Sequence, residues 1–284
     1  VRQIAIATCA SYPHADDDQP LLRSALLELG IEGVPLVWDD PANNFNDFEL
    51  TVIRSTWDYT SKRGSFLDWA RGIEHLENPA SIVEWNTDKR YIDDLAEAGV
   101  PVVPTTYATT PDELEVPDAA RFVVKPSIGA GSMGAKRFAA DEVTAARQHV
   151  AQLANDNKVA MVQPYLDLVD DQHETGVVVI DGTVSHAISK GPMLGVTETD
   201  RSGLFLAEMI GSRTPTDEEL EVVDHALRSV PGTSGPLLYA RVDLLPTPTG
   251  PVVIELELTE PSLFLTTARP AASRLAAALA ARLD

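Results

Sequence analysis

A single cysteine, Cys9, stands in a chain of 284 residues. One thiol closes no intrachain disulfide and builds no cysteine-based zinc site, and it fits a reducing cytoplasm. Basic residues are scarce as well. The 22 Lys and Arg face 43 Asp and Glu, for a formal net charge of −21, and the isoelectric point is near 4.5. A surface of that sign repels nucleic-acid phosphates and anionic membranes, so neither is an expected partner. An anionic nucleotide would have to be met by locally placed cations or metal. No apolar run approaches the roughly 18 residues of a membrane span. Residues 1–9 lack the ordered basic, apolar and cleavage regions of a secretory signal. A cytoplasmic protein is expected. There is no internal repeat, and only the alanine-rich C-terminus is compositionally biased.

What is present suits a globular protein. Hydrophobic residues make up 44%, ordinary for a chain with a real core. Residues 3–8 (QIAIAT) alternate as a first strand. A helix is predicted over 20–29, with Pro20 at its start and Gly30 at its stop. Residues 34–38 and 50–54 predict further strands. This strand–helix–strand rhythm predicts a parallel sheet, with functional groups beyond the carboxyl ends of its strands. Two loops fall there. The loop 8–18 ends in Asp16-Asp17-Asp18, which reads either as an acidic helix N-terminus or as a seat for a substrate amine or cation. The loop Arg54-Ser55-Thr56-Trp57-Asp58-Tyr59 reads either as a structural turn, with Arg54 paired to Asp58, or as a carboxylate cradle. In the cradle Arg54 is a planar fork, and Ser55, Thr56 and Asp58 are further substrate contacts.

Further on, a helix is predicted over 66–74, and another from Thr87 or Asp88 to about Ala98. An extended segment follows over 100–105. The strand 122–125 delivers Lys125 into the small-residue loop 127–134. Glycines let backbone N–H groups approach oxygen closely and the lysine neutralises charge, as polyphosphate binding requires. The loop lacks the Gly-Lys-Ser/Thr of a Walker A loop and the Gly-x-Gly-x-x-Gly of a dinucleotide fold. Alone it could equally be a glycine-rich hairpin turn. A helix over 141–155 and a strand over 159–162 lead into Gln163-Pro164-Tyr165-Leu166. A hairpin over 176–188 turns at Asp181-Gly182. Lys190 follows it, before a loop holding Gly191, Gly195 and Gly203. Helices are predicted over 217–229 and 271–283. Between them, strands 237–245 and 252–258 are joined by a turn over 246–250. Histidines 75 and 149 read as surface residues.

Period two puts Arg241 with Asp243, and Glu255 with Glu257, on single faces of adjacent strands. Three carboxylates on one face need counter-charge. One arginine is too little, and a pair of Mg²⁺ ions bridging nucleotide phosphates would supply it. The alternative is the solvent face of a half-exposed sheet.

Five motifs stand in order: Asp88-Lys89 with 98–105; Val124-Lys125-Pro126 and its loop; Val162-Gln163-Pro164-Tyr165-Leu166; Arg241-Val242-Asp243; and Glu255 to Ser262. On these, residues 85–264 resemble the ATP-grasp superfamily. The resemblance implies an ATP-grasp α/β fold: an N-terminal Rossmann-like parallel-sheet domain (1–85), a central lid-bearing lobe (86–162) and a C-terminal antiparallel-sheet lobe (163–284). It implies that Lys89, Lys125, Ser127, Gly129, Gly131 and Ser132 meet the phosphates of ATP under a mobile lid. Gln163, Pro164, Tyr165 and Leu166 would hold adenine, and Asp243, Glu255 and Glu257 would ligate Mg²⁺. Lys190 and Arg241 would face the transferred phosphoryl group. Arg213 and Ser262 join the expected substrate contacts. The family's frequent Glu-x-Asn is Glu255-Leu256-Glu257 here, and Lys190 replaces a common arginine.

Trp85-Asn86-x-Asp88-Lys89-Arg90-Tyr91, the Arg54–Tyr59 loop and Glu257-Leu258-Thr259-Glu260-Pro261-Ser262 are similar to the small bacterial group containing the cycloserine-forming O-ureidoserine cyclo-ligase. The implied activity is ATP-dependent phosphorylation of an amino-acid-like carboxylate, then carbon–nitrogen bond formation. The alternatives are a glutathione-synthetase or RimK-like peptide-forming ligase, a phosphotransferase, and a non-catalytic ATP-binding regulatory module. Related ligases are often homo-oligomers.

Overall fold

The computed structural model describes residues 1–192, 209–233 and 235–283; Gly195 and Gly203 lie outside them. Among the described residues the strands form three sheets. The first comprises β1 (Arg2–Thr8), α1 (Gln19–Glu28), β2 (Ile31–Val37), β3 (Thr51–Ser55), α2 (Arg63–Arg71) and β4 (Leu76–Glu77). Its order is β2–β1–β3–β4, and every pairing is parallel. Ile4, Ala5, Ile6 and Ala7 of β1 are all fully buried. The central strand of a parallel sheet is covered on both faces, so the alternation in QIAIAT marks no wet side.

Helices α3 (Ala80–Asn86) and α4 (Tyr91–Glu97) follow. The helix expected from residue 87 or 88 thus begins later, and Gly99, at φ +81°, ends it in the left-handed region that glycine adopts freely. The second sheet contains β5 (Thr106–Ala108), β6 (Arg121–Pro126), β7 (Lys136–Ala139) and β8 (Ala160–Pro164), with α5 (Val143–Asn155) between the last two. It is antiparallel, in the order β5–β8–β6–β7. Phe122, Val124 and Phe138 pack on Ala146, Val150 and Leu153 of α5. The β6–β7 hairpin carries the small-residue loop.

The third sheet has the order β11–β10–β9–β12–β13. Its elements are α6 (Val169–Gln172), β9 (Glu174–Ile180), β10 (Thr183–Lys190), β11 (Ile210–Arg213), α7 (Asp217–Arg228), β12 (Tyr239–Thr247), β13 (Gly250–Glu257) and the closing α8 (Ala271–Ala281). Asp181 and Gly182 both take positive φ, +50° and +70°, as a two-residue hairpin turn requires. Thr247 pairs with Gly250, so the turn between β12 and β13 is tighter than the expected span of 246–250.

One face of this sheet shares a core with the first sheet, through Val178 and Ile180, Leu275 and Leu279 of α8, and Ile4, Ile6 and Leu26. The other face packs on α3, α4 and α7 through Ile82, Tyr91, Leu95 and Val223. The expected divisions at 85/86 and 162/163 therefore fall inside α3 and β8. Segment 101–103 runs along β13: Val103 N–H donates to Val253 at 3.0 Å and Val253 N–H to Pro101 at 2.8 Å.

Two buried asparagines join the lobes. Asn78 donates to the carbonyls of Tyr239 and Leu258 at 2.9 and 2.8 Å, and accepts from Leu238 N–H at 2.8 Å. Asn86 donates to Leu256 at 2.6 Å and accepts from Leu258 N–H at 2.7 Å. Both satisfy backbone groups that would otherwise be buried without partners. Among the described residues no helix is long and apolar enough to cross a membrane.

Candidate active site

The loops after β1 and β3, the loop between β6 and β7, and one face of β12–β13 line a cavity of about 330 Å³. Its charged floor comes from strand register. Arg241 sits across from Glu257, and Asp243 across from Glu255, so a tight hairpin alone brings four charges into one patch. The Arg241 guanidinium donates to both Asp243 oxygens, at 2.8 and 2.9 Å, to the Ser262 carbonyl at 2.9 Å, and to Glu257. The Lys190 ammonium lies 2.6 Å from Glu174 and 3.1 Å from Asp243. Lys89 stands 3.1 Å from Glu255 and donates to the Gly129 carbonyl.

The carboxylates thus already have counter-charges, Arg241, Lys89 and Lys190, and the two lysines come from outside the hairpin. This corrects the expectation that one arginine is the only counter-charge the protein itself supplies. Among the described residues no three Asp, Glu, His or Cys side chains stand together as an ion site. Asp243 is enclosed at 1% exposure, while Glu255 and Glu257 line the cavity.

These pairings set the acidities. Burial alone would raise Asp243, but Arg241 and Lys190 outweigh it and hold the carboxyl well below the usual range. Lys89 and Lys125 likewise outweigh burial at Glu255, which is lowered. Burial dominates at Glu257, with Glu255 and Asp243 nearby, and pushes it up to about 8 against Arg241. Burial also raises Glu174 and Glu260 to about 7. It pushes the Lys125 ammonium down to about 8. Desolvation disfavours whichever form is charged, which explains the opposite directions.

Gly129, Gly131 and Ser132 line the cavity. Gly131 and Gly134 have φ of +57° and +79°, conformations that favour glycine. Lys125 borders a smaller recess with Lys89 and Glu255. Ser127 accepts from Lys89 N–H at 2.9 Å. Gln163 donates to Thr105 at 2.9 Å. Pro164 ends β8, and the guanidinium groups of Arg121 and Arg137 lie 4.5 and 4.8 Å from the Tyr165 ring centroid. Leu166 packs with Val103, Val123, Leu245 and Ile254.

Several expected substrate contacts stand elsewhere. Arg54, 1% exposed, donates to Pro261 O at 3.0 Å and Asp16 at 3.2 Å, with Asp18 at 3.8 Å. Its fork is spent on the protein and does not line the cavity, which corrects both its pairing with Asp58 and its role as a free carboxylate clamp. Asp58 instead meets Trp38 at 2.8 Å and Lys62 at 2.7 Å. Ser55 and Thr56 are fully buried. Arg213 donates to Gln172 O at 2.7 Å and lies 3.4 Å from Glu219. Ser262 does line the cavity. The acidic triplet leads into α1, with Asp18 at its N-cap as the helix-terminus reading expected, but Asp18 makes no cap bond and its carboxylate accepts from Leu265 N–H at 2.7 Å.

Sequence alone assigns no role to Asn78, Asn86, Tyr239 or Glu260, and it misplaces His149. Asn86 falls at helical spacing from buried Ile82 and Val83, the one available signal for it. Tyr239 donates to Ile53 O at 2.7 Å. His149 is buried, with Nε2 2.8 Å from the Gly134 carbonyl, and so is no surface residue.

Comparison with known proteins gives this geometry its class. Residues 4–79 match the family model for the N-terminal domain of the D-cycloserine synthetase DcsG. The chain is 36% identical to the cycloserine biosynthesis protein DcsG of Streptomyces lavendulae, over 99% of this chain and 98% of that one. It superposes on the crystal structure of D-cycloserine synthetase DcsG with a TM-score of 0.89 at 34% identity, covering 99% of this chain and all of the other. A RimK-domain ATP-grasp protein from Sphaerobacter thermophilus shares the fold, at TM-score 0.71 and 17% identity over 98% of each chain. The chain is an enzyme of the ATP-grasp class, a carbon–nitrogen ligase. Within that class it belongs to the DcsG family.

Proposed function

We propose that this enzyme uses ATP to phosphorylate the carboxylate of an amino-acid-like substrate and then closes a carbon–nitrogen bond within the same molecule, as an O-ureidoserine cyclo-ligase. The observation that carries the reading is full-length likeness to DcsG combined with a cavity floor of Lys89, Lys190, Arg241, Glu255 and Glu257. A carboxylate is a poor acyl donor, because its leaving group would be oxide. Phosphorylation makes an acyl phosphate, which a nitrogen attacks as phosphate leaves.

The protein's part is positioning and charge. Lys89, Lys125 and the N–H groups of Gly129, Gly131 and Ser132 would hold phosphate oxygens. The apolar seam of Leu166, Val103, Val123 and Ile254 beside Lys125 suits an adenine ring, with the backbone of 163–166 along its edge. Arg241 and Lys190 would stabilise charge on the transferred group. Glu255, Glu257 and Asp243 are hard oxygen donors of the kind Mg²⁺ requires, two of them face the cavity, and they would hold ions that offset polyphosphate charge. The loop 127–134 would act as the lid that keeps water from the acyl phosphate.

The test is ADP release from ATP, Mg²⁺ and O-ureidoserine as the only carboxylate, with and without hydroxylamine. Hydroxamate reports the acyl phosphate, and a cyclic product without a second amine reports ring closure. A strict need for a second amine would move the enzyme to peptide-forming ligation. No ADP from any amino-acid carboxylate would overturn the ligase reading itself.

A further inference from the structure

The cavity has two chemical sides. Lys89, Lys190 and Arg241 stand on the β12–β13 side. The side built from the loops after β1 and β3 presents Asp16, Asp17, Asp18 and Glu260, with Tyr12 and Trp57 packed edge to face at 4.9 Å. Most cavity carboxylates have a cation: Lys89 for Glu255, Arg241 for Glu257, and Arg54 for Asp16 and Asp18. Asp17 and Glu260 differ: among the described residues no lysine or arginine lies at ion-pair distance from either. Asp17 is exposed, whereas Glu260 is half-buried in the cavity wall. The charge of Lys89, beyond pairing distance, and then the Tyr59 hydroxyl favour its ionised form against burial, and its own backbone carbonyl accepts from Trp57 at 3.1 Å. Two aromatic residues of the turn Trp57–Ser61 thus stand at this acid, one of them bonded to its backbone.

We propose that Glu260 is the seat of the substrate's α-ammonium group, so that the enzyme reads its substrate as a zwitterion, with the carboxylate towards Arg241 and Lys190. The proposal rests on the ligase reading above and names the group that reading leaves unbound. A half-buried carboxylate with no cation at pairing distance gains from one, and a substrate ammonium would supply it. The aromatic faces of Tyr12 and Trp57 on the same side suit a cation further.

The probes are O-ureidoserine and its analogue without the α-amino group, 3-(ureidooxy)propanoate. In the unaltered enzyme kcat/KM should favour the amino parent by about 100-fold, the scale of one buried charge pair. Glu260→Gln keeps the shape and the Tyr59 contact but removes the charge. It should reduce that preference to within about threefold while KM for ATP changes less than about twofold. A variant that keeps the full preference overturns the assignment, as does one whose defect lies in Mg²⁺ or ATP dependence. If Glu260→Gln fails to fold, inhibition of the unaltered enzyme decides. The deamino analogue should bind about 100-fold more weakly than the parent, and equal affinity overturns the proposal. Absence of turnover with every amino-acid carboxylate would bring down the ligase reading and this inference with it. Normal turnover with no ammonium preference brings down the inference alone.

Discussion

Two buried arginines, each ending on carboxylates, mark different parts of the cavity lining. Arg54 comes up from β3 and spends its guanidinium on Asp16, Asp18 and the Pro261 carbonyl. Arg241 comes from β12 and meets Asp243, Glu257 and the Ser262 carbonyl. Burial and pairing do not separate them, since both are almost fully enclosed. Access does: Arg241 itself lines the cavity, and Arg54 does not. The carboxylates of Asp16 and Asp18 stand at the cavity and Arg54 ties them, from behind, to the Pro261 carbonyl. Glu257, beside Arg241, opens onto the cavity together with Lys89, Lys190 and Glu255. A buried arginine is therefore a brace or a working group according to whether it reaches the cavity itself, and each assignment makes a different variant informative.

The largest effect should come from Asp243, where Arg241 and Lys190 converge. Asp243→Asn keeps the volume and removes the charge. It should lower the rate of ADP formation by about 1,000-fold, roughly 4 kcal/mol of transition-state stabilisation, with circular dichroism unchanged. Turnover near that of the parent would remove Asp243 from the phosphoryl-transfer machinery. The matched swaps come next. Arg241→Lys keeps a cation but loses the planar fork, and should reduce kcat by about 100-fold with a small change in melting temperature. Arg54→Lys should do the reverse. It should cost about 2 kcal/mol of stability through loss of a forked, buried pairing, seen as a lower melting midpoint, while kcat of the folded enzyme stays within about threefold. If Arg54→Lys instead acted on turnover and spared stability, the distinction between brace and working group would collapse.

The same contrast explains what was legible in the sequence. The Arg241, Asp243, Glu255 and Glu257 patch is built by period-two alternation on two strands joined by a tight turn, so local pattern sufficed to place it. The parallel first sheet and the glycine loop on a hairpin were legible for the same reason: repeat and turn chemistry are local. Arg54 was legible as a charged residue ending a strand, yet its partners were not. The Pro261 carbonyl is 207 residues away and Asp16 is 38, and no spacing rule links them. Asn78 is a comparable case, since it serves backbone groups of Leu238, Tyr239 and Leu258. Glu260 stands within the Glu257–Ser262 motif, but the lack of a cation at pairing distance from it appears only in three dimensions.

Lys125 offers the smallest and most discriminating test, because its two readouts move in opposite directions. Burial lowers its ammonium from 10.5 to about 8, whereas an unfolded lysine holds its proton to about 10.4. Between those values the unfolded chain binds the extra proton, so this group's contribution to stability rises with pH through that window, and its penalty is complete below about pH 8. Phosphate capture needs the charged form and runs the other way. Since kcat/KM reports groups of the free enzyme, kcat/KM for ATP should fall above pH 8, by about tenfold at pH 9. Lys125→Arg keeps its charge throughout and should erase that limb while leaving the titration of the carboxylates near pH 7 in place. A limb that survives the substitution would belong to another group, and the β6 lysine would then be a structural neighbour of the site, like Arg54, with no part in binding ATP.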